Sequence, residues 1–165
     1  LFTIGDTLTS DPALTFDPIP HFPPECFGLL RTQDISKHKQ FQKGLKQLEE
    51  EGVMQIFYSP DHVRREPVLA AVGELQFDVV MSRLENEYGV KTSVERLPHA
   101  LARWIVGDPA TISAVYWPSD TIRLVDQQGR GVMLFTTEHL LAYCIKSNPS
   151  IKFLLREEVE QTSAQ

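Results

Sequence analysis

The sequence has little cysteine and no long apolar run. Its 165 residues contain two cysteines, Cys26 and Cys144, which lie far apart and in no Cys-x-x-Cys pattern. This spacing favours two reduced core thiols in a cytosolic protein over a disulfide framework or a zinc site. No apolar run approaches the roughly 18 residues that a membrane span needs. No basic-then-apolar signal segment opens the chain, so the sequence predicts no membrane partner.

The motifs of phosphate and nucleophile chemistry are also missing. A phosphate-binding loop ends in Gly-Lys, and the chain contains no Gly-Lys dipeptide and no Gly-x-Ser-x-Gly elbow. The five histidines are at least seventeen residues apart, so none forms a local metal-binding pair. The sequence therefore predicts no catalytic, cofactor-binding or metal-binding residue, and we expect that this chain is not itself an enzyme.

The charge balance restricts the partners. The formal net charge is −6, with 42% hydrophobic and 23% charged residues, which is ordinary for a globular chain of one domain or two small ones. A free-standing nucleic-acid binder is usually basic. Any contact with RNA must therefore come from a local basic patch and not from the field of the whole chain.

The first 25 residues predict a strand and a linker. Leu1 to Thr9 has strand character and includes a Gly5-Asp6 turn. Because the chain begins inside this strand, we expect it to be cut from a longer protein. Proline fixes φ and lacks the amide donor, so the closely spaced prolines that follow predict a linker; they are Pro12, Pro18, Pro20, Pro23 and Pro24.

The stretch from Pro67 to Arg96 organises the rest. Val68 to Val72 is a short apolar run that predicts a buried strand, and Gly73 ends it. The apolar residues that follow recur at helical spacing and form one stripe; they are Phe77, Val80, Met81, Leu84 and Tyr88. Gly89 suits the C-terminal cap, and Val90 to Val94 predicts a second strand. A helix with one apolar stripe between two strands is expected to cover a sheet.

Similar patterns extend this unit in both directions. Before it, Cys26–Arg31 and Val53–Tyr58 predict strands around a helix with Phe41, Leu45 and Leu48 on its apolar stripe. After it, strands are predicted at 101–106, 121–126, 131–136 and 151–155, and a hairpin turn joins the second of these to the third. Helices are predicted at 109–116 and directly after Thr137, which caps the second helix. Residues 161–165 are predicted as a polar tail. The fold class is thus α+β, with two consecutive βαββαβ (ferredoxin-like) modules. The predicted domains are 1–16, the end of an upstream β-barrel, then 17–97 and 98–165.

Two basic features are candidates for binding RNA. Lys39, Lys43 and Lys46 share the outer face of the first helix, although a lysine-bearing face is more often only solvated surface. Arg64 and Arg65 lie in the polar connection SPDHVRRE, and arginine suits phosphate, although Asp61 and Glu66 dilute the pair. Two further patterns have structural explanations. Glu74 and Asp78 suit a helix N-terminus, and Trp104 and Trp117 lie in apolar elements where core packing is favoured over base stacking.

Five segments carry a family resemblance: IGDTL at 4–8, PECF at 24–27, KGLKQLEEEG at 43–52, GELQFDVV at 73–80 and ARW at 102–104. The first resembles the end of the β-barrel second domain of the class II peptide chain release factors (the release factor three family), which are translational GTPases related to elongation factor G. The others resemble the third domain of that family. From Gly107 onward the resemblance is one of element order only.

The resemblance implies a cytoplasmic, ribosome-dependent GTPase that removes class I release factors after peptide release without reading the stop codon. GTP and Mg would bind an upstream domain, so no cofactor is expected in this chain. The chain would be the C-terminal part, which contacts rRNA and small-subunit proteins of the ribosome, and class I release factors only indirectly. It would also contact its own upstream GTPase and β-barrel domains. On this basis the ribosome-contact candidates are Arg64, Arg65, Lys39, Lys43 and Lys46.

Two alternatives remain open at this point. One is the C-terminal part of an elongation-factor-G-like ribosomal protection protein, against which the LQFDVV helix argues. The other is a tandem ferredoxin-like regulatory module that binds a small molecule. Such modules use glycine-bearing strand-to-helix turns, for which only Gly73 and Gly107 are available.

Overall fold

A computed structural model describes residues 8–11, 14, 16, 22–60 and 66–163. The strands are β1 (Cys26–Thr32), β2 (Gln55–Phe57), β3 (Val68–Ala71), β4 (Thr92–Leu97), β5 (Leu101–Val106), β6 (Thr121–Val125), β7 (Gly131–Phe135) and β8 (Lys152–Leu154). The helices are α1 (His38–Glu50), α2 (Leu75–Tyr88), α3 (Pro109–Ala114), α4 (Glu138–Ser147) and α5 (Arg156–Ser163), with a short 3-10 turn at Ile35–Lys37 before α1.

The strands form two antiparallel sheets with the same topology. The first has the order β2-β3-β1-β4 and the second β6-β7-β5-β8. In each sheet the first and third strands of the module are central, so the two βαβ crossovers interleave. This arrangement confirms the predicted α+β fold of two ferredoxin-like modules.

One face of the first sheet is covered by α1 and α2. Val80, Leu84 and Phe77 from the α2 stripe are buried, together with Leu45 and Leu48 of α1. Burying such side chains contributes roughly 1.5–3 kcal/mol each. The predicted helix facing is therefore correct at its centre, while Met81 and Tyr88 at the edge of the stripe are only half-buried.

Two glycines permit this helix pair. A Cβ at Gly44 of α1 would lie 2.7 Å from Leu84 Cδ2 and 2.9 Å from Tyr88 Cδ2, so the missing side chain lets α1 approach α2 closely. Gly89 follows α2 with φ +67°, the left-handed conformation that glycine adopts without strain. The predicted cap at Gly89 is confirmed.

The opposite faces of the two sheets pack against each other. Their apolar side chains form one cluster between the modules: Phe27, Phe57, Val68, Ala70, Ala102, Trp104, Leu124, Val132, Leu134 and Val159. Phe57 of β2 meets Trp104 of β5 edge-to-face, with ring centroids 5.7 Å apart. The edges of the sheets are also joined, because Tyr58 and Val125 exchange two backbone hydrogen bonds of 2.8 Å. The result is four layers in the order helices, sheet, sheet, helices.

The outer face of the second sheet has its own core. Met133, Phe135, Ile105, Leu141 and Cys144 are buried there against α3 and α4. Trp117 contacts Phe153 edge-to-face at 6.1 Å. Both tryptophans thus pack inside the protein, as the sequence predicts.

The C-terminal helix is the main error of the sequence analysis. Residues 156–160, for which no element is predicted, and 161–163 of the predicted polar tail form α5, whose buried apolar side chain, Val159, enters the cluster between the sheets. The Glu158 carboxylate accepts a hydrogen bond from Leu155 N at the start of the helix (2.6 Å). One anchoring valine gives no periodic stripe, so hydrophobic periodicity cannot detect this helix.

Several boundaries also differ from the prediction. The helix predicted to reach Tyr116 ends at Ala114, and the strand predicted from Val90 begins at Thr92. A 3-10 turn precedes α1, and Asp34 caps this turn through a hydrogen bond from Ser36 N (2.9 Å). The predicted strand at 1–9 lies outside the described residues, except for Leu8 and Thr9, which have no regular secondary structure. The predicted domain boundaries stay predictions.

The α2 stripe makes a testable prediction. Val80 is fully buried, whereas Ser82 on the same helix is exposed. Val80→Asp would bury a carboxylate without a partner and should cost several kcal/mol, on the order of half of a typical domain stability. Ser82→Asp should cost about 0.5 kcal/mol or less. Urea unfolding of both variants checks this, and equal midpoints would show that the helix facing is wrong.

The hydrogen-bond network around Asp126, which lies within the second module, makes a second prediction. Asp126 accepts hydrogen bonds from Trp104 Nε1 (2.8 Å) and Arg130 Nε (2.6 Å). Asp126→Ala should lower the free energy of unfolding by roughly 3 kcal/mol, since it leaves a buried indole N–H and a half-buried guanidinium unpaired. Gln127→Ala, at an exposed position of the same turn, is the matched control and should be nearly silent. A silent Asp126→Ala would contradict this account of the network.

Candidate functional site

The predicted lysine face exists as an exposed surface. Lys39, Lys43 and Lys46 are all exposed on the outer side of α1, away from the sheet. Lys46 Nζ lies 3.7 Å from the Glu50 carboxylate one turn later. Among the described residues, Lys39 and Lys43 have no acidic oxygen within 4.0 Å, so two of the three charges are available to a partner.

The other predicted candidates, Arg64 and Arg65, lie outside the described residues. Nearby, Glu66 lies 3.5 Å from Arg31, whose guanidinium also contacts Glu95 at 2.9 Å. Glu66, which follows Arg64 and Arg65 in sequence, is thus paired with Arg31.

The Glu74 and Asp78 pair is not a catalytic dyad. Both side chains are exposed near the start of α2, and Glu74 forms an ion pair with Arg96 of β4. The Arg96 guanidinium in turn lies 5.7 Å from the ring centroid of Phe77. These contacts fasten the helix to the sheet, as the structural explanation of the carboxylates predicts.

A cleft of about 360 Å³ opens where the two modules meet. One wall is formed by the end of α1 and by β2, the other by the β6–β7 turn and the start of α5, and Phe22 and Pro24 lie at the side. Five charged side chains line it: Glu49, Glu51, Asp126, Arg130 and Arg156. No sequence pattern predicted this cleft, because its walls come from both modules.

Asp126 organises one wall of the cleft. Besides Trp104 and Arg130 Nε, its carboxylate accepts hydrogen bonds from the backbone N–H groups of Gln128 (3.0 Å) and Arg130 (2.9 Å). Gly129 between them has φ +77°, which completes the turn. All of these donors converge on one buried carboxylate, so the turn, the ion pair and the indole form a single satisfied network.

Glu49 stands across the cleft with fewer partners. Burial raises the pKa of the Glu49 carboxyl to about 7, although a hydrogen bond from the Ile56 backbone and the charge of Arg156 favour its ionised form. The nearby carboxylates of Asp126 and Glu50 add to the upward shift. Burial and the Glu49 charge together raise the pKa of Tyr58 to about 12. The site therefore holds a carboxyl group that changes charge near neutral pH.

Gln55 lines the same cleft as Glu49. Its side chain leaves the same face of β2 as Phe57, toward the second module. The Gln55 Oε1 atom is buried, and it has no hydrogen-bond partner among the described residues. Leaving a buried acceptor without a donor costs free energy. A ligand that donates a hydrogen bond to Gln55 Oε1 would remove this cost.

In the described ranges, no group of three His, Cys, Asp or Glu side chains is placed to hold a metal ion together. Among the helices of those ranges, none combines the length and apolar character that crossing a bilayer requires.

Sequence reasoning missed the cleft for a physical reason. Glu49 belongs to an ordinary acidic run, KQLEEEG, and only the fold brings Glu49 and Glu51 of that run to a cleft beside the second module. One signal was present. Val68–Ala71 is apolar at every position, and all four residues are buried. A strand without alternation predicts cover on both faces of its sheet, and that cover is the second module.

Comparison with known proteins gives the family. A family model described as "Class II release factor RF3, C-terminal domain" matches residues 16–145. The chain is 47% identical over 152 residues to "Peptide chain release factor 3" of Cyanothece sp., which covers 92% of this chain and 28% of that protein. It is 46% identical over 153 residues to the protein of the same name from Gloeobacter violaceus, covering 92% and 29%.

A more distant relative agrees. "Peptide chain release factor 3" of Symbiobacterium thermophilum is 41% identical over 153 residues, covering 93% of this chain and 29% of that protein. The chain thus spans less than a third of the length of the curated relatives it matches. With the family model matching most of its residues, the chain belongs to the class II release factor family and contains that family's C-terminal domain.

Proposed function

We propose that this chain is the C-terminal part of a translation termination factor that promotes dissociation of class I release factors after peptide release. The observation that carries the proposal is the 41–47% identity, over more than nine tenths of the chain, to proteins named Peptide chain release factor 3. This identity favours the release factor over the elongation-factor-G-like protein and over the regulatory module.

The intact protein, on this proposal, is a cytoplasmic GTPase that acts on the ribosome without reading the stop codon. GTP and Mg bind outside this chain, in a domain upstream of it. The supporting observation is that the chain spans 28–29% of its relatives and contains no phosphate-loop motif. The two modules then serve as a rigid body that orients the GTPase domain on the ribosome.

The contact with the ribosome is proposed to be local and basic. The chain carries a net charge of −6, so long-range attraction to rRNA is weak. The lysine face of α1 supplies two cations without an acidic partner among the described residues, and the Arg64–Arg65 segment supplies two more in sequence. Phosphate contacts from such groups fix position and carry no base specificity.

Charge reversal in the intact factor tests this proposal. Arg64→Glu with Arg65→Glu, and separately Lys39→Glu with Lys43→Glu and Lys46→Glu, should weaken ribosome binding and release-factor recycling. We expect losses of about tenfold or more at low salt, and smaller losses at high salt, where the wild-type contact is already screened. Nucleotide affinity off the ribosome should not change. Recycling of a class I factor from post-release ribosomes is the measurement.

A matched control separates a local contact from net charge. Lys91→Glu with Lys146→Glu and Lys152→Glu makes the same change in net charge at three exposed positions elsewhere. If that control loses as much as the α1 variant, the effect is one of overall charge. If neither the loop nor the α1 variant differs from wild type, the proposed contact surface is wrong.

A further prediction concerns the binding and hydrolysis of GTP by this chain alone. The 165-residue chain should neither bind nor hydrolyse GTP, because it has no Gly-Lys phosphate loop to hold the triphosphate. Titration of the chain with a fluorescent GTP analogue, with and without Mg, measures this. Micromolar binding that depends on Mg would contradict the proposed division between this chain and an upstream nucleotide domain.

A further inference from the structure

The cleft between the modules has one unsatisfied side, and that side is made of acceptors. Asp126 receives four donors, Glu51 pairs with Arg83 at 2.5 Å, and Arg156 Nε pairs with Glu160 at 2.7 Å. Glu49 is the exception. Within the described ranges, no Lys, Arg or His nitrogen lies within 4.0 Å of its carboxylate, and the donor that reaches it is the Ile56 N–H.

The Gln55 side chain provides a second hydrogen-bond acceptor in the cleft. The Gln55 Oε1 atom is buried without a donor, and Gln55 and Glu49 line the same cleft. Three acids and two arginines line the cleft in total, and each arginine is held by a carboxylate of its own element, Asp126 for Arg130 and Glu160 for Arg156. The lining thus offers unmet acceptors and a small excess of negative charge.

We propose that this cleft is a binding site for a cationic hydrogen-bond donor, an alkylammonium or guanidinium group, received by the Glu49 carboxylate and the Gln55 amide oxygen. A cation at this point supplies the donor that Gln55 Oε1 lacks and the counter-charge that Glu49 lacks. The volume of about 360 Å³ exceeds the roughly 30 Å³ of one water many times, so the end of a long side chain fits.

An anionic ligand is the less suitable occupant. Arg130 and Arg156 line the cleft, but a carboxylate already holds each of them. An anion entering beside Glu49 would face that carboxyl as well as Asp126, and it would leave the Gln55 oxygen without a donor. Burying a second negative charge beside Glu49 is therefore unfavourable, because the desolvation of the anion is not offset by a free cationic partner.

The charged groups around Glu49 fix the expected pH dependence. Arg156 of α5 favours the carboxylate, whereas Asp126 of the β6–β7 turn and Glu50 of α1 disfavour it, and Tyr58 beside it is neutral in this range. The pKa of Glu49 in the free chain is about 7. Since the cation binds the ionised form, affinity should rise by about tenfold between pH 6 and pH 8. Amine and guanidinium probes keep their charge over this range.

The cation can come from a polypeptide side chain or from a free polyamine, and the probes distinguish these sources. N-acetyl-lysine methylamide and N-acetyl-arginine methylamide represent the side chains, and putrescine represents the free amine. N-acetyl-norleucine methylamide has nearly the shape of the lysine probe without its charge. Each probe is titrated into the 165-residue chain, and the Gln55 side-chain amide and the Trp104 indole N–H are followed by NMR.

We expect saturable shifts at both reporters with at least one cationic probe and none with the norleucine probe. Glu49→Gln should weaken binding at pH 8 by about tenfold or more and abolish its pH dependence. Gln55→Leu should weaken binding but keep the pH dependence, because Glu49 remains. Glu138→Gln, at an exposed position at the start of α4 and away from the cleft, is the control for loss of a carboxylate and should bind as the wild type does.

Two kinds of result would overturn the proposal. One is the absence of saturable shifts at pH 8 with every cationic probe, or equal shifts with the norleucine probe. The other is wild-type affinity in the Glu49→Gln variant. Urea unfolding of each variant shows whether it is folded, and Glu49→Gln should be at least as stable as wild type at pH 8 because burial favours the neutral side chain. A loss of recycling in the intact factor is not part of this test, so this proposal can fail independently of the proposed function.

Discussion

The packing of one sheet against the other is the contact on which the rest of the structure depends. A ferredoxin-like module covers one face of its sheet with helices and leaves the other face bare. Here both bare faces are apolar, and they cover each other through Phe57, Trp104 and their neighbours. The backbone bridge between Tyr58 and Val125 joins the sheet edges. Neither module would bury its apolar surface alone, so the two form one body.

The cleft follows from this packing. Two twisted sheets in face-to-face contact diverge toward their edges, and the gap opens beside the short edge strand β2. Polar groups line the gap because it is too open to be filled by the apolar cluster. Asp126 is fully satisfied by its own turn and by Trp104, which holds the second module in place. Glu49 and Gln55 on the facing wall have no such network, so the asymmetry of the cleft follows from which module supplies each wall.

The sequence allows the modules to be predicted but not their contact. Helix α2 is identified by its stripe and by Gly89, and Asp108 and Thr137 are recognisable caps that accept from Thr111 N and Leu140 N. These are local signals, and local periodicity reveals them. The contact between the sheets depends on residues far apart in sequence, since Phe57 and Trp104 are 47 positions apart and Tyr58 and Val125 are 67 apart. Its signal in the sequence is the lack of alternation in β3 and β7. Helix α5 gives a weaker signal in the sequence, because Val159 is the residue through which it joins the apolar cluster between the sheets.

The two surfaces proposed to bind partners share helix α1 but not a side of it. At 100° per residue, Glu49 projects roughly 90° around the helix from the mean direction of Lys39, Lys43 and Lys46. The lysines face solvent, while Glu49 turns over the edge of β2 toward Asp126 and Arg156. Lys46 nevertheless lies less than one turn before Glu49, and its Nζ is 3.7 Å from the carboxylate of Glu50, the residue next to Glu49. Glu50 therefore links the two surfaces, because its charge also raises the pKa of Glu49, although burial, Arg156 and Asp126 make the larger contributions to that pKa.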